Sequence, residues 1–175
     1  MARRLLRDVD RQGRILDIGC GSHPLFLSRI DFRERYGLDQ LVDPDGADLT
    51  GVHLVHHDVR DPRLPFDDDF FDAVTMLAVF EHIPPGPLAA LMTEIRRVLR
   101  PAGRLVLTTP AGWTDPILRT LARFRLVSAE EIDEHQDAYD HDRIRRYLVE
   151  AGFDPRAIRL GSFELLMNLW ATARA

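Results

Sequence analysis

No lysine occurs anywhere in the 175 residues, and all 23 basic positions are arginine. We read this as coding bias and attach no function to it. Cysteine is almost as scarce: a lone Cys20 excludes an internal disulfide and any thiolate-cluster metal site, and it fits a reducing compartment, so the expected location is cytoplasmic. Long apolar runs are missing too. Met1 to Arg14 is arginine-rich without a continuous apolar stretch, and no run of about 18 apolar residues follows, so neither a secretory leader nor a transmembrane segment is expected. The formal charge is -5, with no block of like charge. General attraction to phosphate backbones or anionic lipid is therefore absent, and nucleic acid is disfavoured as a partner unless a local basic patch exists.

What the chain does have is a recurring pattern of short apolar runs flanked by turn residues. Ile15 to Ile18, Tyr36 to Leu38, Val52 to Val55, Ala73 to Leu77 and Leu105 to Thr108 read as strands covered on both faces, because they lack polar alternation. Between the last two, Leu88, Leu91, Met92, Ile95, Val98 and Leu99 fall on one helical stripe over Leu88 to Arg100, stopped by Pro101 and Gly103. A short helix is expected near Leu25 to Ile30. A longer one runs from Asp142 to Ala151 and ends at Gly152. Two final strands, near Ala157 to Leu160 and Leu165 to Thr172, are joined by too short a turn to be parallel. Leu41 to Gly51 and Arg60 to Phe70, rich in Asp, Pro and Gly, read as loops. The whole chain, 1–175, reads as one α/β domain with a mostly parallel, doubly wound sheet and a reversed last strand.

Candidate site residues cluster at strand ends. The first strand runs into Asp17-Ile18-Gly19-Cys20-Gly21, whose glycines let the backbone approach a ligand at the carboxyl edge of the sheet. A tight turn alone would also use glycine there. Asp39 ends the second strand, about twenty residues on, where a carboxylate accepts both ribose hydroxyls of an adenosine. The third strand ends in His56-His57-Asp58-Val59, which brings Asp58 to the same edge, in reach of an adenine amino group.

Ile15-Leu16-Asp17-Ile18-Gly19-Cys20-Gly21 resembles the glycine-rich signature of class I S-adenosylmethionine-dependent methyltransferases, in their small-molecule (methyltransferase type 11-like) branch. Phe70 to Val74 leading into Phe80-Glu81-His82-Ile83, Leu99 to Leu105, and Ala151-Gly152-Phe153 are similar to later landmarks in the same order. The resemblance implies a Rossmann-like, seven-stranded sheet with helices on both faces and an antiparallel last strand. It implies S-adenosylmethionine as cofactor. Asp17, Gly19 and Gly21, with Cys20 in the same loop, would line its methionine portion, and Asp39 the ribose. Gln40 would lie beside the adenine face, Asp58 and Val59 at the adenine edge, and the Leu77 backbone near the sulfonium. Two positions depart from the family: Ser22-His23-Pro24 stands where another glycine is usual, and a loop replaces the helix after Asp39.

The activity implied is methyl transfer to a small-molecule acceptor, with oxygen the expected atom. The cofactor already carries an activated methyl group, so holding a nucleophile in line supplies much of the catalysis, roughly 7–11 kcal/mol from proximity and orientation. An acceptor hydroxyl would still need a base, and His82, just past the fourth strand, is the catalytic candidate. Glu81-His82 would serve equally as a hydrogen-bonded lead into Pro84-Pro85. Relatives that hold a metal here use Glu-x-x-Glu-His; Ala78 replaces the first Glu, and with only His135 to assist, no metal site is assigned. Within the segment 110–139, Trp113, Ile117, Leu118, Leu121 and Phe124 make an apolar stripe interleaved with arginines. It reads either as a helix packed on the sheet or as a cover for an apolar or anionic acceptor, with His135 and Tyr139 nearby. Two other functions share these features: a non-catalytic cofactor-binding or partner subunit, and a nicotinamide-dependent oxidoreductase. The second is weakened by the missing third glycine.

Overall fold

The five apolar runs become five adjacent strands of one sheet, but the third, expected to be covered on both faces, forms an edge strand with no buried residue. The computed structural model describes residues 1–43, 51–61, 63–112 and 140–175. Its strands are β1 (Arg14–Ile18), β2 (Glu34–Asp39), β3 (Val52–His56), β4 (Phe71–Leu77), β5 (Leu99–Pro110), β6 (Arg159–Phe163) and β7 (Asn168–Arg174). They lie in the order β3-β2-β1-β4-β5-β7-β6, and β7 runs antiparallel to both β5 and β6. This is the Rossmann-like doubly wound sheet with its last strand reversed as expected, though β6 and β7 each lie two or three residues later than the sequence suggests, because the turn between them falls at 164–167. Order reverses beside β1, so β1 and β4 flank the topological switch point. The registers Ile18↔Leu38, Ile18↔Met76 and Asp39↔His56 bring the carboxyl ends of four strands to one edge.

Helices cover both faces. On one, α3 (Pro85–Val98) buries Leu88, Leu91, Met92, Ile95 and Val98, and beside it α4 (His141–Glu150) buries Ile144 and Leu148. On the other, α1 (Ala2–Leu5) and α2 (Leu25–Arg29) bring Ala2, Leu6 and Leu27 onto Ile15, Ala73 and Val106. The polar N-terminal stretch thus contributes buried groups that its composition did not announce.

The helix expected over 88–100 lies three residues earlier at its start and two at its end. Pro84 and Pro85 open it, since a proline at the first helical position has its φ preset and its missing N–H costs nothing. Leu99 already has extended geometry, φ -78 and ψ 130, and begins β5, while Pro101 disfavours helix at Arg100, the residue after it. α4 begins at Asp140, whose side chain accepts the Arg143 N–H at 2.7 Å as an N-cap. It ends as a Schellman motif: Phe153 N–H bonds Leu148 O, Gly152 N–H bonds Val149 O, and Gly152 takes φ +92.

In the connection after β3, described residues 63–70 form neither helix nor strand, as expected. A charged clamp holds it. Arg97 on α3 donates to Glu94 at 2.6 Å, Asp68 at 2.7 Å and the Phe66 carbonyl at 2.8 Å, while Glu94 accepts the Leu64 N–H at 2.8 Å. Residues 44–50 of the other expected loop, residue 62, and 113–139 of the proposed acceptor cover lie outside the described residues, and with them Trp113, His135 and Tyr139.

Candidate functional site

At the switch point the chain must turn sharply twice in succession. Gly19 and Gly21 both take left-handed backbone, φ +71 and +69, as the loop leaves β1. A Cβ on Gly19 would sit 2.2 Å from Val79 Cγ2, so an alanine there meets both backbone strain and a collision. At Gly21 nothing among the described residues lies within 4 Å of the same position, which leaves open space beside the loop. Asp39 fixes that loop: one carboxylate oxygen accepts the Gly21 N–H at 2.8 Å, and the other accepts the Leu41 N–H at 2.8 Å. A carboxylate has about four acceptor positions, so two remain for hydroxyl groups.

Gly19, Asp39, Gln40, Asp58, Val59 and His82 line one crevice of about 470 Å³. Six of the ten residues chosen from sequence therefore meet in a cavity of small-molecule size. Asp58 enters it with its carboxylate gripped by its neighbour: Arg60 donates from its backbone N–H at 2.9 Å and from its guanidinium at 2.5 to 3.0 Å. These bonds hold the Asp58 pKa down at about 2, which keeps it anionic, and they occupy its acceptor positions, so a ligand contact here shares the carboxylate with Arg60. His82 stands on the crevice wall as an exposed side chain at the end of a single helical turn, Phe80–His82.

The remaining four sit differently. Asp17 is 3% exposed beneath the loop, and Thr75 donates its hydroxyl to it at 2.5 Å. Burial pushes the Asp17 pKa up to about 7, against the Thr75 bond and with help from Asp39. Cys20 packs its side chain inward, its sulfur 2.8 Å from where a Cβ on Gly37 would be, and does not line the crevice. Burial first, then Asp17 and Asp39, push the Cys20 thiol up to about 12. Native Cys20 should therefore resist iodoacetamide at pH 8 and react only on unfolding; alkylation at the rate of an ordinary thiol would contradict this placement. Gly21 joins the site through its hydrogen bond to Asp39. Leu77 lines a separate cavity at the ends of β4 and β5, with Phe26, Thr108 and Phe163.

The structure adds Val79 and His57 to the site, and gives Ala78, noted from the sequence only as the place of a missing Glu, a part in the crevice. Ala78 has φ +55 and turns the chain out of β4, with its N–H on Thr108; Val79 follows and seats on Gly19. Both line the crevice, as does His57, whose Nε2 is buried with no hydrogen-bond partner among the described residues. For Val79 the sequence cue is its position just past a strand at a switch point. Where family relatives expect three glycines, this loop manages with two: Pro24, buried, caps α2, and Ser22 Oγ and His23 Nδ1 lie 3.0 Å apart. Among the described residues no three His, Cys, Asp or Glu side chains gather as metal ligands.

An adenosine bearing a charged amino-acid tail fits these features. Asp39 retains acceptor capacity for a ribose, anionic Asp58 lies at the far end with Arg60 on its carboxylate, His57 has a nitrogen without a partner among the described residues on the wall, and Gly21 leaves room for the tail.

Comparison with known proteins gives the same direction. A family model described as a methyltransferase domain matches residues 2–158. The chain is similar to a demethylmenaquinone methyltransferase of Staphylococcus saprophyticus, 27% identical over 180 residues, covering 87% of this chain and 75% of that protein. Its counterpart in Staphylococcus haemolyticus is 30% identical over 127 residues, covering 63% of this chain and 52% of its own length. Among solved structures, an S-adenosylmethionine-dependent methyltransferase of Mesorhizobium loti superposes with a TM-score of 0.73 at 19% identity, covering 99% of this chain and 96% of that one. A Haloferax volcanii methyltransferase in complex with the Trm112 activator gives 0.75 at 17%, covering 99% and 88%.

Proposed function

This chain belongs to the methyltransferase-domain family, and from that premise we propose that it methylates an oxygen atom of a small-molecule acceptor held beside His82. It is an S-adenosylmethionine-dependent enzyme. The acceptor and the acceptor atom are our own reading. So are the partner, a small apolar or anionic molecule and not nucleic acid, and the cytoplasmic location suggested by a lone free cysteine.

The observation that carries the reading is the shared wall: His82 lines the same crevice as Gly19 and Asp39. The bound cofactor supplies a methyl group on a sulfonium, already activated for displacement. The protein's residues then have three tasks. Asp39, Asp58 and Val59 hold the adenosine end, and the Gly19–Gly21 turn sets the depth of the tail. His82 accepts the proton that an acceptor hydroxyl loses as its oxygen attacks. General base catalysis of this kind contributes about 10²- to 10⁴-fold. Demethylmenaquinone methyltransferases among the relatives support a small acceptor and make quinol-type molecules the first to try.

The test is release of S-adenosylhomocysteine on incubation with S-adenosylmethionine and a panel of quinols, phenols and hydroxy acids. With an active acceptor, His82→Gln should lower kcat by at least about 100-fold while cofactor affinity stays unchanged. A variant that turns over like wild type would remove His82 as base.

A further inference from the structure

Far from this crevice, at the amino ends of the parallel strands, the sheet face over β5, β7 and β6 carries a second concavity of about 510 Å³. Six arginines line it: Arg4, Arg7, Arg104, Arg156, Arg159 and Arg174. Among the described residues two carboxylates, Asp8 and Asp154, share the wall. Asp8 is ion-paired to Arg7 at 3.5 Å, with both side chains exposed, and Asp154 accepts the Arg156 backbone N–H at 2.8 Å. A chain of net charge -5 thus concentrates positive charge at one place.

The arrangement is costly for the protein alone. Arg104 and Arg174 stand directly opposite each other on the antiparallel pair β5 and β7, and Arg159 pairs with Thr172, one alternation along the same face. Like charges directly opposite on a sheet destabilise it. Arg104 is also half-buried: it donates one guanidinium N–H to the Leu5 carbonyl at 2.9 Å, while its buried Nε has no hydrogen-bond partner among the described residues. Burial first, and then the Arg174 charge, make its guanidinium harder to protonate than usual. Asp8 offsets part of this conflict at Arg104, but burial and the facing arginine outweigh it, and a local conflict of this kind marks a site completed by something else. One wall is flat and apolar: Trp170 lies over Gly161, where a Cβ would be 2.5 Å from the ring.

We propose that this arginine-lined concavity is a binding site for a small anion bearing two or more phosphate groups. Guanidinium groups match phosphate oxygens with paired, charge-assisted hydrogen bonds, and a bound polyanion relieves the repulsion between Arg104, Arg159 and Arg174. The cavity has the volume of a small-ligand site. The anion is either a free polyphosphate or the phosphate tail of a nucleotide whose base stacks on Trp170. The site is separate from the methyl-transfer crevice and stands whatever the acceptor there proves to be.

The test is calorimetric titration with inorganic tripolyphosphate and with GTP at low salt, with the chain kept saturated in S-adenosylhomocysteine so that the crevice is filled. Saturable binding is expected, weakened at least tenfold by the double substitution Arg159→Gln/Arg174→Gln. Both residues are exposed, so the variant should fold, and its S-adenosylhomocysteine affinity should be unchanged. The charge-matched control Arg33→Gln/Arg146→Gln, exposed and outside the concavity, should bind like wild type. GTP binding tighter than tripolyphosphate, with the difference lost in Trp170→Leu, identifies a nucleotide; equal affinity identifies free polyphosphate. No binding of either, equal weakening by the control, or tighter binding of a short RNA than of both probes would overturn the proposal.

Discussion

Replacing Asp39 by alanine should reduce S-adenosylhomocysteine affinity by at least about 100-fold and lower the stability of the unliganded protein as well. The two effects have one origin. The Asp39 carboxylate already accepts backbone N–H groups from Gly21 and Leu41, both at 2.8 Å. It thereby ties the glycine turn after β1 to the chain leaving β2. Losing it leaves two backbone donors without their acceptor, which costs about 1–3 kcal/mol if they stay dry and less if water reaches them. In the complex the same carboxylate is left to accept ribose hydroxyls, and hydrogen bonds to charged groups are worth about 1.5–3 kcal/mol each. Two of them correspond to roughly 3 kcal/mol or more, hence the factor of about 100. Asp39→Asn should recover part of the stability, since one oxygen remains as an acceptor, but less of the affinity. Calorimetry and thermal unfolding of the three proteins decide it. Wild-type affinity in a folded Asp39→Ala variant would take Asp39 out of the site.

The part of the site legible in sequence is the part that strand ends dictate. Gly19, Asp39, Asp58 and Val59 each follow an apolar run, and parallel strands in register deliver such positions to one edge. What escaped depends on approach between segments distant in sequence. Val79 matters because it rests on Gly19, and nothing in Ala78-Val79-Phe80 announces that contact. The Arg97 clamp was hidden for the same reason, since its acceptors come from a loop without periodicity about thirty residues away. The arginine concavity escaped for another. Net charge averages over the surface, and Arg104, Arg159 and Arg174 meet only because β7 reverses between β5 and β6. Pro24 shows the opposite case: it falls where the third glycine of a pyrophosphate-binding turn would be, which already weakened the dinucleotide reading. The structure places Pro24 buried at the start of α2, and the family assignment makes the cofactor S-adenosylmethionine.

Asp17 should make the unliganded protein less stable as pH rises from about 4 to about 7. Its carboxyl is 3% exposed, and burial raises its pKa from 3.8 to about 7. In that window the unfolded chain has released the proton while the native chain still holds it. The native state therefore binds more protons, and the free energy of unfolding falls with rising pH. One pKa unit corresponds to about 1.4 kcal/mol, so roughly three units amount to about 4 kcal/mol, fully expressed above pH 7 and absent below pH 4. Asp17→Asn, which keeps an acceptor for the Thr75 hydroxyl, should match wild type near pH 4 and exceed it near pH 8, as read from denaturant midpoints at each pH. A ligand with a positively charged amino group near Asp17 should reverse the balance, since it favours the ionised carboxylate. Wild-type affinity for S-adenosylhomocysteine should then fall as pH drops below about 7, with one proton released per ligand bound, and the Asn variant should bind more weakly despite its greater stability. Parallel stability curves for the two proteins would show that Asp17 is ionised at neutral pH even without ligand.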